Sequence, residues 1–360
     1  MAAMRPVLAI AVAGTVAVIG VLALRSPRSD SPVVAGSPLA VPVTVPAAPI
    51  GDGSGGAADP TLVSVGHPSP DAARPSDIAA IVGGSIVMLD GRDGHTLRTL
   101  ANHPEADSGG FPHLEGLSLT PDRSAVFYAL AGDCGQGTIY RVATDGHTPP
   151  VVFTTGVSPA VSPDGHKLAY AAAATGGAER QCQNTVVVRD LKSGAERSWR
   201  YPATPDFNSV MYQNAVISEI GWAPDSARLA YTLSYEGDSV AILDTGADTD
   251  LSQTEEVVVP SGGGNSSHPA WQASSGLLGL FNTRFECCYD DVYTGPPRAV
   301  LVNPERRLDT PLLPPGRRVT ALDFDASGTH LLFVEGGRLY RRSGAQAPVA
   351  LTPGVTSADW

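Results

Sequence analysis

The sequence predicts an all-β protein, specifically a six-bladed β-propeller whose C-terminal strand pairs with the N-terminal blade to close the ring. Three observations support this prediction. A turn-centred pattern recurs along the chain, glycine (39) and proline (31) are frequent enough to separate many short strands, and the two ends of the folded region each hold part of one repeat.

Each repeat consists of a short apolar run, a turn, and an alternating apolar and polar segment that ends near an aromatic residue. Further apolar runs after each copy supply two outer strands, so one unit holds four strands, as a propeller blade does. The copies recur at intervals of about 40 to 60 residues, close to the usual blade period. The five copies are LSLTPDRSAVFYA (117–129), AVSPDGHKLAYA (160–171), IGWAPDSARLAYT (220–232), PAWQASSGLLGLF (269–281) and LDFDASGTHLLFV (322–334).

The aspartates of these turns have a predicted structural role. A proline precedes each of Asp122, Asp164 and Asp225, and its ring fixes the φ angle that the turn needs. The aspartate side chain then accepts hydrogen bonds from the backbone of the same turn. Since each turn belongs to a different blade, we expect these carboxylates to stay apart rather than to form a catalytic set.

The chain ends predict how the ring closes. The last residues, VTSADW (355–360), match the first strand of a repeat, whereas residues 77–100 read as second, third and fourth strands without a first. Together they make one blade, which leaves no free edge at the junction and gives six blades over 76–360. Residues 201–216 are interpreted as a long connection rather than a seventh blade.

The Ser162-Pro163-Asp164-Gly165 turn, with partial matches at 120–123 and 223–226, is the motif that points to a family. The arrangement resembles the TolB-like six-bladed β-propeller family, a WD-type repeat group, in a bacterial and membrane-anchored form. The resemblance covers nearly the whole folded region, although the fifth and sixth units lack Pro-Asp. Because that family includes periplasmic assembly proteins, peptidase propellers and lyases, the resemblance implies a fold and leaves the activity open.

The first 75 residues predict attachment to a membrane. A tail (1–5) precedes an uncharged, mostly apolar run (6–24), which is long enough to cross a bilayer as a transmembrane helix or signal-anchor. After it comes a linker (25–75) rich in proline, alanine, glycine and serine, which is predicted to be disordered. We expect a single-pass protein of the cell membrane with its propeller outside the cytoplasm. The alternative is a cleaved signal, which would make the protein secreted.

Charge and motifs exclude several functions. The net charge of -12 argues against binding nucleic acid, whose phosphates select for clustered positive charge. The sequence contains neither a nucleophile elbow nor the motifs of zinc proteases, phosphate loops or calcium loops, so no cofactor is expected. The expected partner is a protein or small ligand of the cell envelope, bound by a monomeric propeller.

Long loops that follow the second strand or precede the first strand of a blade share one face, opposite the Pro-Asp turns. We call it the loop face, and its loops are the most aromatic and acidic of the chain. They are expected to contact a partner, the alternative being a solvated acidic rim. The candidate binding residues are Phe207, Tyr212, Glu236, Phe285, Tyr289, Asp290, Asp291 and Tyr293.

Two cysteines lie in equivalent loops of consecutive blades. Cys134 and Cys182 are therefore predicted to form a disulfide in an exported protein. For the adjacent Cys287 and Cys288 the sequence leaves three alternatives, which are a vicinal disulfide, reduced thiols and a soft-metal site.

A ring of equivalent positions near the mouth of the central channel holds the candidates for chemistry. In this ring Glu219 and His268 are the pair capable of acid/base work or, with nearby His113, of binding a metal. The alternative is a hydrogen-bonded pair that helps to close the channel. The ring positions are Gly116, Ser158, Glu219, His268, Ala321 and Ser357.

The sequence thus favours a non-catalytic binding or scaffold module on the loop face, with no catalytic or metal-binding residue assigned. One alternative is a lyase or hydrolase with a channel-mouth site. Another is a sensor ectodomain that works with a separate membrane partner.

Overall fold

The computed structural model describes residues 76–108, 111–132, 136–173, 183–201, 216–234, 237–259, 265–283 and 296–360. All of them fall within one compact unit, Val65–Trp360. The predicted membrane segment and linker lie outside these ranges. Among the helices that are described, none has the length and apolar character needed to span a bilayer.

The described strands form six antiparallel sheets of four strands each, so the predicted six-bladed propeller is confirmed. Blade 1 combines the C-terminal strand with the first three strands, and blades 2 to 6 each take four consecutive strands. The strands are β1 (Ile78–Val82), β2 (Ser85–Leu89), β3 (Thr96–Asn102), β4 (His113–Leu119), β5 (Ala125–Ala131), β6 (Gly137–Ala143), β7 (Val151–Thr155), β8 (Val157–Val161), β9 (Lys167–Ala173), β10 (Gln183–Asp190), β11 (Glu196–Arg200), β12 (Val216–Trp222), β13 (Arg228–Ser234), β14 (Asp238–Asp244), β15 (Glu255–Glu256), β16 (Asn265–Gln272), β17 (Leu277–Thr283), β18 (Arg298–Asn303), β19 (Leu308–Pro311), β20 (Val319–Phe324), β21 (His330–Glu335), β22 (Arg338–Ser343), β23 (Val349–Pro353) and β24 (Val355–Asp359).

The first hairpin of blade 2 illustrates why the repeated motif makes a turn. The Arg123 amide donates to the Thr120 carbonyl at 2.7 Å, and the Asp122 carboxylate accepts from the Ser124 amide at 3.0 Å. Hydrogen bonds from Thr120 and Ser124 lower the pKa of Asp122 to about 2. The carboxylate is thus engaged within its own turn, as the sequence predicts.

The equivalent aspartates of blades 3 and 4 behave in the same way. Asp164 accepts from the His166 amide and Asp225 from the Ala227 amide, each at 2.9 Å. The structural interpretation of the turn aspartates is therefore confirmed.

The core lies between neighbouring blades and is densest around their second strands. Tyr128, Tyr231 and Phe333, one on each of three second strands, are fully buried. Alternate residues of a strand face the two neighbouring sheets, so a strand covered on both sides is apolar throughout. This explains the nearly unbroken apolar runs of β5, β9, β13, β17 and β21.

The closing strand pairs as the sequence predicts. Strand β24 runs antiparallel to β1, with Ala79 opposite Asp359 and Val82 opposite Val355. The Val355 side chain is fully buried in an apolar cluster shared by blades 1 and 6. The two chain ends therefore complete a single blade.

The inner strands β24, β4, β8, β12, β16 and β20 contact each other in that order around the ring. Hydrogen bonds also join neighbouring inner strands in several places. The Leu119 amide donates to the Asp359 carboxylate at 2.6 Å, and the Val161 amide donates to the Ser118 hydroxyl at 3.0 Å. Polar side chains of the inner strands therefore hold adjacent blades together.

Candidate functional site

The ring positions predicted from the sequence coincide with bulges in the inner strands. In β4, β8, β12 and β16 the pairing register shifts beside one residue whose φ angle is left-handed. These residues are Gly116 (68°), Ser158 (53°), Glu219 (52°) and His268 (55°). Left-handed φ is unfavourable for residues with a Cβ atom, and bulges redirect side chains, so the three non-glycine residues are held in strained positions.

All six inner strands line one central cavity of about 780 Å³. The volume falls within the range of roughly 300 to 1,000 Å³ that is typical of small-molecule sites. The six predicted ring positions are all among its lining residues.

Glu219 and His268 form a close polar pair in the wall of the cavity. His268 Nδ1 lies 2.5 Å from Glu219 Oε1, and the second carboxylate oxygen accepts from the His268 amide at 2.8 Å and the Thr232 hydroxyl at 2.9 Å. Burial alone would raise the pKa of Glu219, but the hydrogen bonds and charge of His268, with the Thr232 hydroxyl, outweigh it and lower that pKa. Glu219 is therefore a carboxylate that orients the imidazole.

A second acid, Glu115, lies one residue before the ring in blade 2. It accepts from the Ser158 hydroxyl at 3.2 Å and lies 3.4 Å from His113 Nε2. Burial raises the pKa of Glu115, and the charge of Glu219 adds to the increase, although His113 and Ser158 oppose it. The structure thus places His113 against Glu115, whereas Glu219 contacts His268.

A pair of acids from adjacent inner strands, Asp323 and Asp359, forms a further part of the cavity wall. The Trp360 amide lies 3.1 Å from Asp323 Oδ2 and 2.8 Å from Asp359 Oδ1. Burial, followed by the proximity of Asp359, raises the pKa of Asp323 well above its usual value. The pKa of Asp359 is also raised by burial, although Asp323, Leu119, Ser118 and Trp360 oppose the increase. The two carboxyl groups also form a hydrogen bond with each other.

The chemistry open to the Glu219–His268 pair is that of an oriented imidazole. With Nδ1 bonded to the carboxylate, Nε2 is left without a partner among the described residues and is the atom available for proton transfer or metal ligation. Within the described ranges, a set of three metal-ligating side chains occurs at Asp90, Asp93 and His95 on a surface turn, and not in the cavity.

The predicted binding loops and cysteines fall outside the described residues. This applies to Phe207, Tyr212, Glu236, Phe285, Tyr289, Asp290, Asp291 and Tyr293, and to Cys134, Cys182, Cys287 and Cys288. Their proposed roles stay predictions. Near the same face, Phe111 is 61% exposed and its ring lies 5.3 Å from that of His113.

Sequence reasoning missed Glu115, Asp323 and Asp359. A signal for the aspartates was present, because both occupy the position immediately before the aligned aromatic residues Phe324 and Trp360. Two acids at one alignment position on neighbouring blades must approach each other in a closed ring. Glu115 gave no such signal, because its register is shifted by the bulge at the next residue.

No family model matches the chain, and no curated protein matches its sequence. Solved structures do match its fold. TolB from Acinetobacter baumannii aligns with a TM-score of 0.53 at 15% identity, over 79% of this chain and 66% of its own length. A putative TolB from Agrobacterium tumefaciens gives 0.51 at 12% identity, over 78% and 90%. A chain of a nidogen/laminin complex gives 0.54 at 12% identity, over 79% and 97%.

These identities establish the propeller fold alone. The chain spans 66% of the length of the Acinetobacter TolB. The structural neighbours nonetheless include TolB-type six-bladed propellers, which agrees with the resemblance seen in the turn motif.

Proposed function

We propose that this protein is a membrane-anchored, extracytoplasmic propeller that binds a protein or small ligand on its loop face without catalysing a reaction. The observation that carries the proposal is the central cavity, to which all six inner strands contribute. A closed ring keeps those strands in place, and rigid scaffolds with a concave centre suit binding. The nidogen/laminin neighbour, solved as a complex, is consistent with protein binding by this fold.

The exposed aromatic Phe111 supports the loop face as the docking surface. It lies just before β4, close to His113 and, through that residue, to Glu115 at the cavity. Exposed aromatic side chains supply much of the energy of protein interfaces.

The docking proposal is tested by site-specific photo-crosslinking of the full chain in intact cells. A photoreactive residue at Phe111 is expected to capture a defined partner. The matched control is His147, which is also exposed but lies on the opposite face, between β6 and β7. Equal capture from both positions, or none from Phe111, would contradict the proposal.

The proposed anchor rests on residues 6–24 and the linker that follows them. We expect the full chain to stay with membranes after alkaline extraction, and added protease to reach the propeller from outside the cytoplasm. Release into the medium with a new N-terminus after the apolar run would instead indicate a cleaved signal.

A second candidate, a lyase or hydrolase, is favoured by the 2.5 Å contact between Glu219 and His268. In that function His268 would act as base or metal ligand and Glu219 would orient it. Elemental analysis of the purified chain separates the candidates. One metal ion per chain that disappears in His268→Ala would favour the enzyme, whereas a metal content unchanged by that substitution supports a binding module.

A further inference from the structure

The Asp323–Asp359 pair is the part of the cavity where negative charge lacks a cationic partner. The other acids that line the cavity each contact a histidine: Glu115 at 3.4 Å, Glu219 at 2.5 Å and Asp325 at 2.9 Å. In the part of the chain that the structure describes, Asp323 and Asp359 form no ion pair. Their hydrogen bonds come from backbone amides, from a serine hydroxyl and from each other.

The described part of the protein provides this pair with no lysine or arginine at ion-pair distance. Among the described lining residues there is neither lysine nor arginine. Arg123 interacts electrostatically with Asp359, but its guanidinium donates a hydrogen bond to the Asp77 carbonyl. A cation bound beside the two carboxyl groups would therefore offset negative charge that no lysine or arginine of the lining offsets.

The wall of the cavity opposite these acids is mostly apolar. At the positions equivalent to Asp323 and Asp359, blades 3, 4 and 5 contribute only Ala160, Gly221 and Ala270. None of these three residues carries a charge or a polar side chain. Further lining side chains are aliphatic, namely Leu114, Leu117, Ile220, Ala321 and Leu322.

This combination does not fit a metal ion. A metal needs several ligand atoms around one point, whereas the acids of the cavity are distributed over different strands and hold separate hydrogen-bond partners. The described chain has a three-ligand group only on the surface turn that holds Asp90. A charged group on an apolar body fits the cavity better.

We propose that the cavity binds an organic cation, an ammonium or guanidinium group on an aliphatic chain, with the cation at Asp323 and Asp359 and the chain against the aliphatic lining side chains of Leu114, Ile220 and Leu322. This inference specifies the ligand chemistry of the binding module proposed above and rests on that proposal. Guanidinium groups match paired carboxylates especially well, because they donate several hydrogen bonds in a fixed plane. The cation has two sources: a free small molecule, or an arginine or lysine side chain of a partner protein.

Calorimetric titration of the full chain at low ionic strength tests the proposal. The probes are butylguanidinium and its uncharged isostere butylurea, and the blocked peptides Gly-Arg-Gly and Gly-citrulline-Gly, in which citrulline is the uncharged isostere of arginine. We expect each cation to bind at least about tenfold more tightly than its isostere, since a hydrogen bond between charged groups contributes about 1.5 to 3 kcal/mol. Tighter binding of the arginine peptide identifies a protein side chain as the source, and tighter binding of butylguanidinium identifies a free small molecule.

Asp323→Asn is the informative variant, because asparagine resembles the protonated acid and preserves the fold. It is expected to weaken binding of the cation about tenfold, and Asp359→Asn is expected to do the same. Asp145→Asn, an exposed turn residue that does not line the cavity, is the matched control and should bind as the native chain does. Melting temperatures of all variants show that they remain folded.

The inference is overturned if the uncharged isosteres bind equally well, or if both aspartate variants keep native affinity. It is also overturned if Ca²⁺ or Zn²⁺ binds at one ion per chain and excludes butylguanidinium. Crosslinking from Phe111 reports on the docking function separately. Persistent crosslinking without cation binding refutes this inference alone, whereas loss of specific crosslinking refutes the docking function.

Discussion

Substitution of Val355 by alanine tests the closure of the ring. Val355 lies on the C-terminal strand and is fully buried against Ile78, Leu332 and Leu339, which are themselves almost inaccessible. Loss of two buried methyl groups costs about 1.6 kcal/mol in transfer free energy. Because those neighbours belong to three strands and cannot all collapse into the space, a residual cavity brings the cost to about 2 to 3 kcal/mol.

For a domain of this size, such a loss lowers the melting temperature by about 4 to 10 °C. The assay is thermal unfolding followed by circular dichroism. Val349→Ala is the matched control, because it removes the same two methyl groups from a side chain that is 49% exposed on β23. We expect that control to change stability by less than about 0.5 kcal/mol. Equal effects of the two substitutions would refute burial of the closing strand between blades 1 and 6.

Three further predictions concern the interior of the propeller. Thermal unfolding should show that Asp323→Asn stabilises the protein by about 1 kcal/mol at pH 8 and has no effect near pH 4. The reason is that the raised pKa of Asp323 favours the folded state at low pH, and this contribution is lost as the pH rises from about 4 through that pKa. A loss of stability at both pH values would contradict this. Trp222→Phe should cost about 1 to 2 kcal/mol in denaturant titrations, since its Nε1 donates to a backbone carbonyl of the neighbouring blade at 2.9 Å. Trp271→Phe should be nearly neutral, since its Nε1 has no partner among the described residues, and equal costs would disprove the reasoning. Gly156→Ala should destabilise the fold by about 2 kcal/mol or more, because its Cβ atom would lie 2.6 Å from an aromatic ring. Gly276→Ala, where there is open space and a left-handed φ, should cost about 1 kcal/mol. The two melting temperatures are compared, and equal values would contradict the predicted clash at Gly156.

The proximity of the two acids links stability to ligand binding. Asp323 and Asp359 are costly to ionise together, and the fold tolerates them because backbone amides and the hydrogen bond between the two groups satisfy their oxygens. Residues that reduce stability without a packing role are frequent at functional sites. Asp323→Asn should therefore increase stability and decrease cation binding. A variant that increased both, or decreased both, would contradict this link.

Much of the candidate site could be predicted because the repeat aligns equivalent strand positions. Alignment on the turn motif identified the ring that contains Glu219 and His268, and the structure brings these two residues within 2.5 Å. It did not predict the left-handed bulges, because a bulge depends on how two strands pair and not on local propensity. The bulge at Gly116 is what turns Glu115 toward Ser158.

The sequence by itself determined the number of blades, the closure of the ring and the role of the turn aspartates. These properties follow from local rules: alternation with a period of two, proline and aspartate at turns, and an incomplete repeat at each end. Only the tertiary structure decided which charged groups meet and which stay unpaired. Asp323 and Asp359 lie on strands joined by no turn, and their contact exists only because the C-terminal strand returns to the first blade and sits beside the last. Protonation and charge depend on burial and on neighbours brought together by folding, so the contact between these two acids follows from ring closure.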